Sequence, residues 1–168
     1  MFKKMLKEGA EKTILEECIF APLSGKLINI DEVPDPVFSE KMMGDGMAVE
    51  PTEGNVLAPV DGEVIQIFHA KHAIAIRSEG GAEILLHIGL ETVSLDGQGF
   101  EVVVKEGEKV KSGDLLLTFD LPFIRENAAS TISPIVITNG EMMERLTKER
   151  SGAVKAGISP MFRILAKS

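Results

Sequence analysis

The chain has 168 residues, of which 18 are Lys or Arg and 26 are Asp or Glu, for a net charge of −8, and 44% are hydrophobic. This is enough apolar chain for one domain with a core and too much for disorder. The acidity, without a long Lys/Arg run, speaks against nucleic acid as a partner, and no apolar run approaches the ~20 residues of a membrane-crossing helix.

One cysteine, Cys18, leaves no internal disulfide and no cysteine-rich metal site. The start, Met1-Phe2-Lys3-Lys4-Met5, offers no apolar stretch long enough for a secretory signal, so a reducing cytoplasm is expected. Residues 1–18 read as a flexible N-terminal segment and 19–168 as the domain. Phe2, Met5 and Leu6 fall at i, i+3 and i+4 with Lys3, Lys4 and Lys7 between them. So short a segment does not hold a helix alone in water. A solvated tail is expected, with peripheral contact to an anionic membrane as the functional alternative.

From Ile19 onward, short apolar runs are punctuated by Gly, Pro, Asp and Asn, which predicts strands. They are expected over 26–30, 63–68, 73–77, 83–88, 100–104, 114–119 and 134–138, and 105–114 reads as two Gly-bearing turns around one short strand. Two short helices interrupt them. One is capped by Asp120 and begins at Leu121-Pro122, since proline is tolerated in a first turn. The other is expected over 141–148, where Glu141/Arg145 and Glu144/Lys148 stand at i, i+4 and Met142 and Leu146 form the apolar stripe. Ala21-Pro22-Leu23-Ser24-Gly25-Lys26-Leu27 is echoed by Ala58-Pro59-Val60-Asp61-Gly62-Glu63-Val64, each a proline turn, a glycine and a strand. The expected fold is therefore all-β: an antiparallel β-sandwich or flattened barrel built on a duplicated β motif, with two short helices.

Three histidines are present, His69, His72 and His87. A neutral imidazole has one donor and one acceptor nitrogen, so it can attack, relay protons or bind metal, although most single histidines do none of these. His72 opens the run 73–77 and His87 closes the run 83–87, with the tight-turn sequence Ser78-Glu79-Gly80-Gly81-Ala82 between them. A hairpin centred on Glu79-Gly80 sets His72 directly opposite His87, with Cβ atoms ~4.5–5.5 Å apart. A one-residue slip would turn the two to opposite faces. No Ser or Cys carries an acyl-transfer signature, no HExxH is present, and two ligands without a third make a poor built-in zinc site. What remains is nucleophilic attack by one imidazole while the other donates a hydrogen bond to the developing charge, chemistry that suits phosphoryl transfer. No Gly-rich nucleotide loop precedes a Lys-Ser/Thr pair, so the expected phosphoryl donor is another protein rather than bound ATP.

Gly81-Ala82-Glu83-Ile84-Leu85-Leu86-His87-Ile88-Gly89-Leu90-Glu91-Thr92-Val93 resembles the phosphohistidine signature of the glucose-family enzyme IIA of the bacterial phosphoenolpyruvate:sugar phosphotransferase system. Lys71-His72-Ala73-Ile74-Ala75-Ile76 resembles that family's other histidine motif, and Asp35-Pro36-Val37-Phe38-Ser39-Glu40-Lys41-Met42-Met43-Gly44-Asp45-Gly46 its front loop. Asp96-Gly97-Gln98-Gly99-Phe100 and Ser133-Pro134-Ile135-Val136 also match, so the likeness spans about residues 19–168. The resemblance implies a cytoplasmic phosphocarrier with a β-sandwich fold. In it, His87 accepts a phosphoryl group from phospho-HPr, on Nε2, and passes it to a IIB domain. His72 hydrogen-bonds that group and matters mainly for passing it on. No cofactor or metal is implied for either half-reaction. In some members the two histidines help form a zinc site completed by a regulated partner, which makes His72 and His87 conditional zinc ligands. The resemblance also implies a docking face in which Val37, Phe38, Met42, Phe68 and Val93 ring the histidines, while Asp35 and Glu91 meet basic partners.

The chain departs from the family pattern in places. Ala70 stands where Thr is common, so no hydroxyl reaches the histidine pair from there. Glu91 replaces an Asp, and Leu85 and Ile88 stand where some relatives have Phe. Two other readings compete. Gly turns around short strands also occur in biotinyl- and lipoyl-type carrier modules, and Lys41-Met42 matches half of a biotin-attachment motif, with Glu40 where a Met is expected. The third reading is a regulatory binding module that keeps the fold without turnover.

Overall fold

The computed structural model describes residues 16–168. The readings of a flexible tail or a membrane-surface helix fall mainly on residues outside this range. Among the described residues the chain forms β1 (Glu16–Phe20), β2 (Gly25–Asn29), α1 (Pro36–Ser39), β3 (Asp45–Pro51), β4 (Asn55–Leu57), β5 (Gly62–Ile67), β6 (Ala73–Ser78) and β7 (Glu83–His87). It continues through β8 (Phe100–Val102), β9 (Lys109–Val110), β10 (Leu115–Phe119), α2 (Leu121–Asn127), β11 (Ser133–Ile137), β12 (Met143–Lys148), β13 (Gly152–Val154) and β14 (Pro160–Ala166). Every predicted strand is present within two residues at each end, including the short one between the turns of 105–114. Strand β1 takes in Glu16–Cys18, which the sequence alone left in the N-terminal segment.

All strand pairs are antiparallel. One sheet runs β13-β2-β3-β11-β7-β6-β5-β9, and two three-stranded sheets run β1-β14-β12 and β4-β10-β8. None closes on itself, so the sandwich, not the barrel, is the form adopted. The main core lies on one face of the large sheet. There Leu27, Met47, Val49, Ile74, Ile76, Ile84, Leu86, Ile135 and Ile137 meet Ile19, Leu116, Leu117, Phe162 and Ile164 from the small sheets. The opposite face carries a smaller cluster of Ile28, Ala48, Ala73, Leu85 and Val136, covered by Ile30, Val33 and Phe38 from the loop between β2 and β3. Two-sided burial explains why β7 and β11 read as continuous apolar runs and not as alternating ones.

The echo in the sequence is a pseudo-symmetric hydrogen-bonded unit. Phe20 N–H donates to Pro59 O and Leu57 N–H to Pro22 O, both at 2.9 Å, the same bond made twice between equivalent positions. Ala21 and Ala58 each donate to and accept from a later turn: Ala21 exchanges with Ser159 and Gly157, Ala58 with Asp114 and Gly113. Even the side chains correspond, since Ser24 Oγ accepts from Ala156 N–H at 2.9 Å where Asp61 Oδ1 accepts from Ser112 N–H at 2.8 Å.

Helix α2 begins as expected, with Asp120 Oδ1 accepting from Phe123 N–H at 3.1 Å. The helix expected over 141–148 does not form; its place is taken by a 3-10 turn over Gly140–Met142 and strand β12. A pair of i, i+4 ion pairs is worth only ~0.2–0.5 kcal/mol each. Pairing with β14 satisfies the backbone groups along one edge of 143–148 and lets Met143 and Leu146 pack on the core. The basic residues find partners in the tertiary fold instead: Arg145 lies 4.0 Å from Glu16 and Lys148 lies 2.8 Å from Asp45. The second helix is α1, a single turn whose N-cap, Asp35, accepts from Val37 N–H at 3.0 Å.

Candidate active site

Strands β6 and β7 are neighbours in the large sheet, and their connection differs from the expected two-residue turn. It has three residues, Glu79, Gly80 and Gly81, closed by Ser78 N–H donating to Ala82 O at 2.8 Å. Gly81 takes φ +98, a conformation that suits glycine at the last position of a three-residue hairpin loop. The extra residue moves the register by one, so the residue facing His87 is Ala73, not His72. Direct opposition of the two histidines is therefore incorrect.

The rings meet nonetheless, because His72 is not in the strand. It ends the turn that follows β5, where Lys71 takes a left-handed φ of 64 and donates its N–H to Phe68 O at 2.8 Å. The His72 carbonyl accepts from Ile88 N–H at 2.8 Å, which ties this turn to the end of β7. Strand alternation does not apply across such a corner. The His72 and His87 ring centroids lie 4.9 Å apart with planes at 85°.

The second nitrogen of each ring sets its tautomer. His87 Nδ1 lies 2.8 Å from Gly89 O. A carbonyl only accepts, so Nδ1 carries the proton and Nε2 keeps a free lone pair. Gly89 is fixed in turn: its N–H donates to Ser133 Oγ at 3.0 Å, and Ser133 Oγ–H donates to Thr131 O at 2.9 Å. At φ +73, a Cβ on residue 89 would stand 2.7 Å from Thr92 Cγ2, so the corner admits only glycine. His72 is 6% exposed, and its Nδ1 is buried with no hydrogen-bond partner among the described residues. Orphaned buried N–H groups are rarer than orphaned acceptors, which places the His72 proton on Nε2. The pair thus offers one nucleophilic lone pair, on His87 Nε2, and one N–H donor, on His72 Nε2. Gly89 and Ser133 sit inside the sequence motifs, but their support of His87 is not legible there. The only available signal was a glycine interrupting an apolar run.

Both imidazoles are held neutral at neutral pH. Burial, and then repulsion from a charged His87, lower the pKa of His72 to about 4. Burial also lowers that of His87, partly offset by its bond to Gly89 O and by the negative charge of Asp35.

The other candidate residues divide by exposure. Phe38 is only 4% exposed; it packs beneath the site, its ring 5.0 Å from that of His87, and is not itself a surface residue. Phe68 is half-buried, edge-on to His72 at 6.0 Å. Val37, Met42 at 69% and Val93 at 60% are exposed apolar side chains, as is Met43, which the sequence did not single out. Asp35 is half-buried as the cap of α1, and Glu91 is exposed in a left-handed conformation before the 3-10 turn Thr92–Leu95. Ala70 is buried, and His69 is exposed without a hydrogen bond to the pair. Lys41 follows α1 at φ 61 and lies 3.7 Å from Asp45; it does not stand on a hairpin of the kind the biotinyl-type reading needs. Among the described residues no three His, Cys, Asp or Glu side chains gather as a metal site, and no helix is long and apolar enough to cross a membrane.

Comparison with known proteins finds relatives over nearly the whole chain. The family model for the phosphoenolpyruvate-dependent sugar phosphotransferase system, EIIA 1, matches residues 17–143. A glucose-specific EIIA component of Bacillus cereus is 52% identical over 167 residues, covering 99% of this chain and 100% of its own. That of Halalkalibacterium halodurans is 49% identical over 162 residues, covering 96% and 92%. Among solved structures, the glucose permease IIA of Mycoplasma capricolum superposes with a TM-score of 0.81 at 42% identity, covering 89% of this chain and 96% of that one.

Proposed function

The chain belongs to the EIIA 1 family of the phosphoenolpyruvate-dependent sugar phosphotransferase system and is a phosphocarrier component of it; from that premise we propose that His87 is the phosphoryl-accepting residue and His72 its hydrogen-bonding helper. The observation that carries this reading is the 4.9 Å contact between two neutral imidazoles of opposite hydrogen-bonding character. His87 Nε2 attacks phosphorus in line with the donor's bond; a P–N bond forms as the donor's bond to phosphorus breaks. No proton has to leave the nucleophile, because Nδ1 keeps its own against Gly89 O. His72 Nε2–H donates to a phosphoryl oxygen, and its low proton affinity keeps the helper uncharged until that oxygen arrives. In onward transfer the acceptor's nucleophile takes the phosphorus and the electron pair returns to His87 Nε2.

Phospho-HPr is the proposed donor and a IIB domain the acceptor, in the cytoplasm where these proteins meet. The names of the relatives make a glucose transporter's IIB domain the first acceptor to try. Val37, Met42 and Val93 supply an apolar docking surface, with Phe38 and Phe68 behind the rings and Asp35 and Glu91 as acidic contacts. The reaction requires no cofactor. Two imidazoles supply two nitrogen ligands, so zinc would bind with a third ligand from a partner protein, and no transfer step passes through it.

Incubation with phosphoenolpyruvate, enzyme I and HPr, followed by intact-mass measurement, tests the assignment. An acid-labile phosphoryl adduct is expected on the wild type and none on His87→Ala. His72→Ala should accept the group and donate it poorly to a competent IIB domain. Labelling of His87→Ala, or normal donation by His72→Ala, would overturn these roles. A wild type that takes no adduct would leave only the regulatory binding module.

A further inference from the structure

We propose that Lys148 is a positioning residue: it clips together the two feet of the front loop, residues 30–44, and so holds Phe38 against His87. The loop leaves β2 at Asn29 and re-enters the sheet at Asp45. Its own structure is slight, a 3-10 turn over Ile30–Glu32 and the single turn of α1. Lys148 reaches it from β12, in a different sheet. The Lys148 ammonium lies 2.8 Å from Asn29 Oδ1 and 2.8 Å from Asp45 Oδ1.

Both oxygens already organise the chain at the loop's ends. Asn29 Oδ1 accepts from Ile30 N–H at 2.8 Å and caps the first turn. Asp45 Oδ1 accepts from Gly46 N–H at 2.8 Å, where β3 begins. One cation therefore fixes the chain's entry and its exit together. Exposed ion pairs contribute little, but this one is the least exposed of its kind among the described residues. The Lys148 side chain is 21% exposed, against 52% for Lys41, 49% for Arg77, 59% for Arg145 and 40% for Arg163. Between the clipped feet, Phe38 lies buried with its ring 5.0 Å from that of His87. In-line attack depends on the orientation of that imidazole, so a loosened loop costs rate without touching either histidine.

The effect on rate rests on the phosphocarrier reading above; the effect on loop geometry does not. The full chain is compared as wild type, Lys148→Met, Lys148→Arg and Asp45→Asn, with thermal unfolding as the check on folding. Two quantities are measured: phosphoryl acceptance from phospho-HPr, and the cross-relaxation between Phe38 and His87 ring protons by NMR. Folded Lys148→Met should accept roughly ten-fold more slowly and lose most of the ring-to-ring signal, with Lys148→Arg recovering much of both. Asp45→Asn should fall between, and it decides the matter if Lys148→Met does not fold. Rates within two-fold of wild type, with the ring-to-ring signal intact, would overturn the proposal. Should the wild type itself take no phosphoryl group, the phosphocarrier reading fails, and the NMR comparison alone still decides whether Lys148 holds the loop.

Discussion

At the scale of single residues, the two imidazoles differ in what meets their Nδ1 atoms. A carbonyl meets that of His87; nothing among the described residues meets that of His72. The first keeps its Nε2 lone pair free, and the second is a buried base that resists protonation. This has a consequence for stability. An unfolded histidine titrates near 6.5, whereas His72 in the fold titrates at about 4. Between these values the unfolded chain binds more protons, so stability rises with pH across the window and is lost as pH falls through it. Denaturant unfolding of the wild type and His72→Gln, measured from pH 7 to pH 4, should show the wild type losing more stability. Parallel curves would mean that His72 is not kept neutral by the fold.

At the scale of elements, the one-turn helix α1 joins structure to electrostatics. Asp35 caps it through Oδ1 and also raises the proton affinity of His87 against the effect of burial. Asp35→Asn separates the two roles, since asparagine caps a helix as well as aspartate and carries no charge. The His87 pKa of that variant, followed by NMR titration, should lie below the wild-type value while thermal stability changes little. An unchanged His87 pKa would show that the Asp35 charge does not reach the imidazole. The fate of 141–148 belongs to this scale too. Its helical charge spacing is real, yet pairing along β14 and burial of Met143 and Leu146 outweigh a few tenths of a kcal/mol.

At the scale of the molecule, the chain carries a net charge of −8 and exposes apolar side chains at Val37, Met42 and Val93. In the docking proposed above, long-range attraction would bring a basic partner to the surface and apolar contact would hold it there. Stopped-flow association with phospho-HPr should slow by roughly ten-fold or more between ~0.01 and ~1 M salt, as the screening length shrinks from ~30 to ~3 Å. A rate indifferent to salt would assign docking to the apolar contacts alone.

The sequence by itself determined the strand-rich class, the duplicated proline-glycine unit, the cap of α2 and the identity of the two histidines. These are local properties: turn chemistry, apolar runs, and residue types that only some chemistry uses. Strands β3, β4, β13 and β14 escaped it: β4 and β13 have three residues each, Gly46 interrupts β3 and Pro160 opens β14, and such segments read as loops until partner strands satisfy the backbone. The register of the central hairpin escaped it as well, since one more glycine in the turn moves every facing pair by one. Only the tertiary structure decided how the rings meet. A left-handed residue at Lys71 takes His72 out of the strand, Gly89 fixes the tautomer of His87, and Phe38 arrives from a loop anchored by another sheet. The first two are local turns held by distant segments, through Ile88 N–H on the His72 carbonyl and Ser133 Oγ on Gly89 N–H, and the third is wholly long-range, so the pattern within one segment says little about them.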